Sequence, residues 1–231
     1  MTTVHLQLHD LDADRAPDEE LDTLLDDGER ARAERFVRPV HRRRYRVGRA
    51  VLRRTLASWT GVPAAGIAFE YGLNGKPSMR DGPSFNVSHS EGALLIGLAD
   101  RGRLGVDVEV LRPIDDLQKL AAANFARAEV SALELTPPAG QGEAFLRIWT
   151  CKEALIKAVG DGLSIPLHSF TVSPGRAGNA LEALNGESFG AAGTERWSVC
   201  SVPLAGAPAA AVAAVAIDSR DCEVAWLPEL S

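Results

Sequence analysis

The chain of 231 residues is 45% hydrophobic and 24% charged, enough apolar mass to build a core without disulfide or metal staples. A net charge of −6 argues against a nucleic-acid binder but leaves room for a local basic pocket that takes a phosphorylated small molecule. The three cysteines, Cys151, Cys200 and Cys222, are odd in number with no Cys-x-x-Cys, so neither a disulfide framework nor a zinc site is indicated. A reducing, cytoplasmic setting is expected: Met1 to Asp14 lack the basic and apolar regions of a leader. The longest apolar run, about 205–217, is interrupted by Pro208 and too short to span a bilayer.

Val4, Leu6 and Leu8 alternate with polar residues and predict an opening strand. Helix signals follow from Ala16 to Asp27. Between Glu29 and Arg54 the chain turns strongly basic; Val47, Gly48, Val51, Leu52, Leu56 and Trp59 fall at helical spacing, with arginines on the other faces. Such a stretch reads first as a solvated helix, ended by Gly61-Val62-Pro63. Asn74-Gly75 marks a turn. Phe85 to Ser90 reads as a strand end and loop, Ala93 to Ala99 as an apolar strand and Leu104 to Val110 as another. Helical patterns cover Leu117 to Ala123 and Glu129 to Leu135. Thr136 to Gly140 reads as a loop, and a strong helix runs from Glu143 to Val159, closed by Gly160. Short strands and turns fill the rest to Pro228. The two halves share a rough order of strands and helices, so an α+β pair meeting near residue 105 is expected.

Three groups of residues carry chemistry. In Leu104-Gly105-Val106-Asp107-Val108-Glu109-Val110 the apolar residues point one way and Asp107 and Glu109 the other. Two carboxylates so placed lie about 7 Å apart at the backbone and can converge on one hard cation; an acidic outer strand face has the same pattern. On the helix through Phe145, Ile148, Trp149, Leu155, Ile156 and Val159, Glu153 and Lys157 form a separate stripe four residues apart, which a surface ion pair would also explain. Lys152 falls within the apolar face, either snorkelling or meeting a buried carboxylate. Finally, Gly75-Lys76-Pro77 and Phe85-Asn86-Val87-Ser88-His89-Ser90 can supply cationic, hydroxyl and backbone donors to a phosphate. Ser88-His89 also raises a serine hydrolase, but no Gly-x-Ser-x-Gly elbow accompanies it.

In order and spacing, Gly75-Lys76-Pro77, Phe85 to Ser90, Gly105-Val106-Asp107-Val108-Glu109 and Trp149-x-x-Lys152-Glu153-Ala154-x-x-Lys157 resemble the 4′-phosphopantetheinyl transferase superfamily. The nearest type is the surfactin-synthetase-activating one, in its Trp/Lys-Glu-Ala branch. The motifs run from Gly75 to about Gly162; Leu73 and Asn74 make a slightly longer approach to Gly75. The resemblance implies a pseudo-dimer of two α+β halves, 1–104 and 105–231, with coenzyme A in the cleft between them. It implies Mg²⁺ held by Asp107, Glu109, Glu153 and the coenzyme A pyrophosphate. It further implies pyrophosphate contacts from Lys157 and His89, nucleotide contacts from Ser88 and Lys76, and a 3′-phosphate contact from Arg32, with Arg30, Arg44 and Arg46 as competitors. The implied reaction is attack of a carrier-protein serine on the β-phosphorus, with Glu153 as base and Lys157 stabilising departing 3′,5′-ADP. The expected partner is an apo acyl or peptidyl carrier protein and the expected enzyme a monomer, with no nucleic acid and no membrane. The carrier is expected to dock after the metal strand, over Pro113, Ile114, Leu117, Leu120 and Phe125, unless these are core. Two other readings stay open: a metal-dependent nuclease, against which Leu111 stands where a lysine is usual, and a binding protein that keeps coenzyme A without transfer.

Overall fold

Alternation in the first residues builds β1 (Thr2–Asp10), in which Val4 and Leu6 are fully buried. The structure, a computed structural model, describes residues 1–72, 74–160, 165–174, 180–184, 196–204, 207 and 209–228. Leu73, Gly162, Ala205 and Pro208 lie outside them. Next come α1 (Asp18–Asp22), α2 (Asp27–Glu34) and α3 (Pro39–Thr60), so the helix expected from Ala16 to Asp27 is shorter, Asp18–Asp22, and a second helix begins where it was to end. The Asp26 carboxylate accepts from the Glu29 N–H and the Glu29 carboxylate accepts from the Asp26 N–H, a capping box that starts a new helix there. The arginines of α3 are not all solvated: Arg53 is fully buried, 2.7 Å from Glu29.

The hairpin β2 (Glu70–Tyr71) and β3 (Pro77–Ser78) leads into β4 (Ser84–Ser90), β5 (Ala93–Ala99) and β6 (Leu104–Val110). Phe85 to Ser90, expected as a strand end and loop, is strand throughout, paired with β5 from Ser84↔Ala99 to Ser90↔Ala93. Its polar residues mislead because they face another strand edge rather than solvent. Three helices follow: α4 (Leu117–Asn124), α5 (Arg127–Glu134) and α6 (Pro138–Val159). α6 starts at Pro138 rather than Glu143, since proline at the first helical position lacks only an N–H that the helix would leave unbonded. The chain ends through β7 (Phe170–Val172), β8 (Leu181–Leu184), β9 (Ser198–Val202), β10 (Ala211–Ile217) and β11 (Cys222–Trp226).

Two sheets, ordered β11-β1-β5-β4 and β6-β10-β9, make an α+β fold in layers. Leu94, Ile96 and Leu98 of β5 pack with Val47, Val51 and Leu52 of α3. Leu95 and Ala99, on the opposite face, meet Val106, Val108 and Val215 of the other sheet. Val212, Ala214 and Ala216 of β10 pack under Leu155 and Ile156 of α6. The order of layers is thus helix, sheet, sheet, helix. Division at residue 104 is crossed by β11, which returns to pair in parallel with β1. Two glycines permit the close approaches. A Cβ on Gly97 would lie 2.5 Å from Val106 Cγ1, and one on Gly105 would lie 2.0 Å from the Ala154 carbonyl of α6.

Candidate active site

The site forms where the edge strands β4 and β6 meet under α6. No backbone ladder joins these two edges in the sheet order; side chains of β4 take its place. Asn86 Oδ1 accepts from the Val106 N–H at 2.9 Å, Ser88 Oγ from Val108 at 3.4 Å and Ser90 Oγ from Val110 at 3.2 Å. The same hydroxyls donate to the neighbouring carboxylates: Ser88 to Asp107 Oδ1 at 2.8 Å and Ser90 to Glu109 Oε2 at 2.7 Å. The period-two pattern Asn-x-Ser-x-Ser therefore sets the register of Asp107 and Glu109. Asn86 and Ser90 carry no role in the sequence reading, although their alternation was the signal that could have found them.

Gly105 brings α6 onto β6 and with it Glu153 and Lys157. Lys157 Nζ lies 2.7 Å from Asp107 Oδ1 and donates to Ser88 Oγ at 3.0 Å. Asp107 is 5% exposed, and its second oxygen, Oδ2, is buried with no hydrogen-bond partner among the described residues. Burial pushes the Asp107 carboxyl above the usual range, with Lys157 opposing. Glu153 has no ion pair or hydrogen bond among the described residues. Burial, then the charge on Asp107, raises its pKa too. Glu109 is bonded to Ser90 and lies 2.7 Å from Arg112. The convergence expected of the three carboxylates is not reached. Among the described residues no group of three His, Cys, Asp or Glu side chains is close enough to hold a metal, because Glu109 and Asp107 are turned to their protein donors. The donor set still suits a hard cation: a buried carboxylate oxygen lacks a partner among the described residues, and the charges of Asp107 and Glu109 raise the proton affinity of Glu153.

Beside this junction α2, α3, β4 and the β2–β3 hairpin enclose a cleft of about 440 Å³ that includes Arg32, Phe36, Tyr45, Pro77 and His89. Arg32 has no carboxylate partner among the described residues; its guanidinium lies 5.5 Å from the Tyr45 ring. Its competitors are engaged. Arg44 is 2.7 Å from Asp12 and 3.1 Å from Glu91, Arg46 is 3.0 Å from both Asp18 and Asp22, and Arg30 pairs with Asp27. His89 is exposed to the cleft. Desolvation by the surrounding protein, then Lys157, holds its pKa below the ordinary value, so it is a neutral hydrogen-bonding group near neutral pH. Lys76 is placed differently from the other phosphate candidates: its ammonium donates to the carbonyls of Leu104 at 2.8 Å and Lys157 at 2.6 Å.

In the segment after β6, Phe125 is core, 3% exposed and 4.8 Å from the Phe145 ring. Ile114 and Leu117 pack partly against the same core, while Leu120 is 41% exposed. Among the described residues no helix is long and apolar enough to cross a membrane.

The model of the 4′-phosphopantetheinyl transferase superfamily matches residues 103–213, which hold β6 and α6. The chain is 39% identical over 166 residues to the 4′-phosphopantetheinyl transferase HetI of Nostoc sp., an alignment that covers 70% of each chain. It is 37% identical over 180 residues to the 4′-phosphopantetheinyl transferase psf-1 of Bacillus pumilus, covering 76% of each.

Proposed function

The chain is an enzyme of the 4′-phosphopantetheinyl transferase superfamily, and from that premise we propose that it moves the phosphopantetheine arm of coenzyme A onto a serine of an apo carrier protein, with Mg²⁺ as cofactor and 3′,5′-ADP as the leaving product. The observation that carries this reading is the buried Asp107 carboxylate at the junction of β4, β6 and α6, paired on one oxygen and, among the described residues, unpartnered on the other. Asp107, Glu109 and Glu153 would hold the cation, which when bound neutralises pyrophosphate charge and polarises the phosphoryl group. Arg32 and His89 bind the nucleotide end in the adjoining cleft, Arg32 as a cation with no carboxylate partner among the described residues and His89 as a neutral hydrogen-bonding group. Glu153, whose proton affinity is raised by burial, accepts the serine proton. Lys157, with Nζ beside Asp107, faces the negative charge that builds on the departing phosphate. The enzyme acts as a monomer, and the carrier reaches the junction past Leu120, the exposed apolar residue of α4.

Mass spectrometry of a panel of apo carrier proteins, incubated with this protein, coenzyme A and Mg²⁺, tests the reaction. One phosphopantetheinyl group should be added at a serine, and chelation should abolish the gain. If none of the carriers gains the group while a known transferase modifies them, the reaction is wrong. In the same assay Leu120→Asp should raise the KM for carrier and leave that for coenzyme A unchanged; equal carrier KM would place docking elsewhere.

A further inference from the structure

Lys76 belongs to a motif that the resemblance assigns to nucleotide binding, yet its surroundings have another logic. It sits at the end of the β2–β3 hairpin, whose tip is held by Gly72 N–H to the Lys76 carbonyl at 3.1 Å and Gly75 N–H to Gly72 at 2.9 Å. Gly75 has φ +72, a left-handed turn that suits glycine. The hairpin thus delivers the side chain to one place, the seam between β6 and α6.

That seam has carbonyls in need of donors. α6 stops at Gly160, whose N–H takes the Ile156 carbonyl, so within the described residues the next carbonyls of the last turn have no helical N–H to accept from. Lys76 Nζ takes the Lys157 carbonyl at 2.6 Å, and Asn74 Nδ2 takes the Gly160 carbonyl at 2.9 Å. A cation there also opposes the negative end of the helix dipole. The second Lys76 bond, 2.8 Å to the Leu104 carbonyl, grips the first residue of β6. One ammonium therefore ties together the strand that carries Asp107 and the helix that carries Glu153 and Lys157. Between the two grips, Gly105 leaves no room for a side chain against Ala154.

We propose that Lys76 is a positioning residue: by bonding the carbonyls of Leu104 and Lys157 it holds β6 and α6 in the register that places Lys157 Nζ on Asp107, and it contacts no phosphate of the nucleotide. Two of its three protons are already committed to carbonyls, so a phosphate would have to displace them. Arg32, across the cleft and without a carboxylate partner among the described residues, is the better-placed cation.

The activity arm of the test rests on the proposed transferase reaction; the exchange arm does not. In Lys76→Met, amide hydrogen exchange in residues 154–160 should rise about tenfold or more while the earlier turns of α6 stay unchanged. The kcat of transfer should fall about 10²-fold, as a displaced catalytic group requires. The KM for coenzyme A and the preference for coenzyme A over dephospho-coenzyme A should stay within about twofold. Lys76→Arg, which keeps donors for two carbonyls, should restore part of the kcat. Should Lys76→Met not fold, Asn74→Ala, which removes the neighbouring cap alone, should still raise exchange in residues 156–160. Unchanged exchange at the end of α6, or a raised KM for coenzyme A with the preference over dephospho-coenzyme A lost, overturns the proposal. If the wild-type protein transfers nothing, the exchange result alone decides the clamp.

Discussion

Two lysine–carboxylate pairs lie on α6 little more than one turn apart, and they are built for different ends. Lys152 Nζ is 2.8 Å from Glu129, and both side chains are almost completely buried. Lys152 also donates to the carbonyls of Leu167 at 2.8 Å and Phe170 at 2.6 Å, so all three protons are used. Glu129 accepts from the N–H groups of Ala126 and Val172, each at 2.8 Å. Burial pushes the Glu129 carboxyl up and the Lys152 ammonium down, and their attraction opposes both shifts. At the second pair Lys157 and Asp107 are 2.7 Å apart, but among the described residues one Asp107 oxygen is left without a partner. A buried pair with every bond made ties α5, α6 and β7 together. In the second pair only Asp107 is buried, and under the proposed function its unmet oxygen is the place a further ligand completes.

The comparison breaks if the two pairs respond alike to mutation. The largest effect is expected on turnover: Asp107→Asn should lower transfer by about 10²- to 10³-fold and leave the thermal midpoint near that of the wild type. Near-normal turnover at limiting Mg²⁺ would remove Asp107 from the site. Lys152→Met should do the reverse, since it strands the Glu129 charge in the core. It should cost about 3–5 kcal/mol of stability in denaturant unfolding. The double variant Glu129→Leu with Lys152→Met should recover most of that loss, because an apolar pair needs no desolvation of charge. A double variant as unstable as the single one would mean that the bonds to Leu167, Phe170 and Val172, not the charge pair, carry the stability.

The smallest effect concerns pH. Burial, then the charge of Arg103, lowers the Lys76 pKa from 10.5 to about 8. The unfolded chain therefore holds this proton over a range in which the folded protein has lost it. Stability should rise with pH between about 8 and 10.5 from this group and be unaffected by it below 8. Subtracting the Lys76→Met curve from the wild-type thermal curve isolates the contribution, and a flat difference across that range would show Lys76 to be solvated.

Much of this was legible in the sequence. The strand Leu104–Val110 was bounded correctly because apolar and polar residues alternate without interruption, and that period alone placed Asp107 and Glu109 on one face. The spacing of Glu153 and Lys157 on α6 followed from the helical repeat in the same way. Lys152 was visible as an anomaly, since a lysine on an apolar face needs an explanation, but its partner Glu129 lies on another helix and no local pattern points to it. The strand Ser84–Ser90 reads only as a strand end and loop because its hydrophilic residues, normally a sign of solvent, are spent on the edge of β6.

By itself the sequence determined the elements that obey short periods, the family and the set of residue types needed for phosphoryl chemistry. Only the tertiary structure decided which of them pair. It put Ser88 and Ser90 on the two carboxylates, engaged Arg44 and Arg46 with acids so that Arg32 remains available, and turned Lys76 from the cleft onto two carbonyls. It also sent β11 back to the first sheet across the expected boundary. The physical reason is the same in each case: hydrogen bonds and charges are satisfied by whatever lies within about 3 Å in space, and distance along the chain says little about that once the chain has folded.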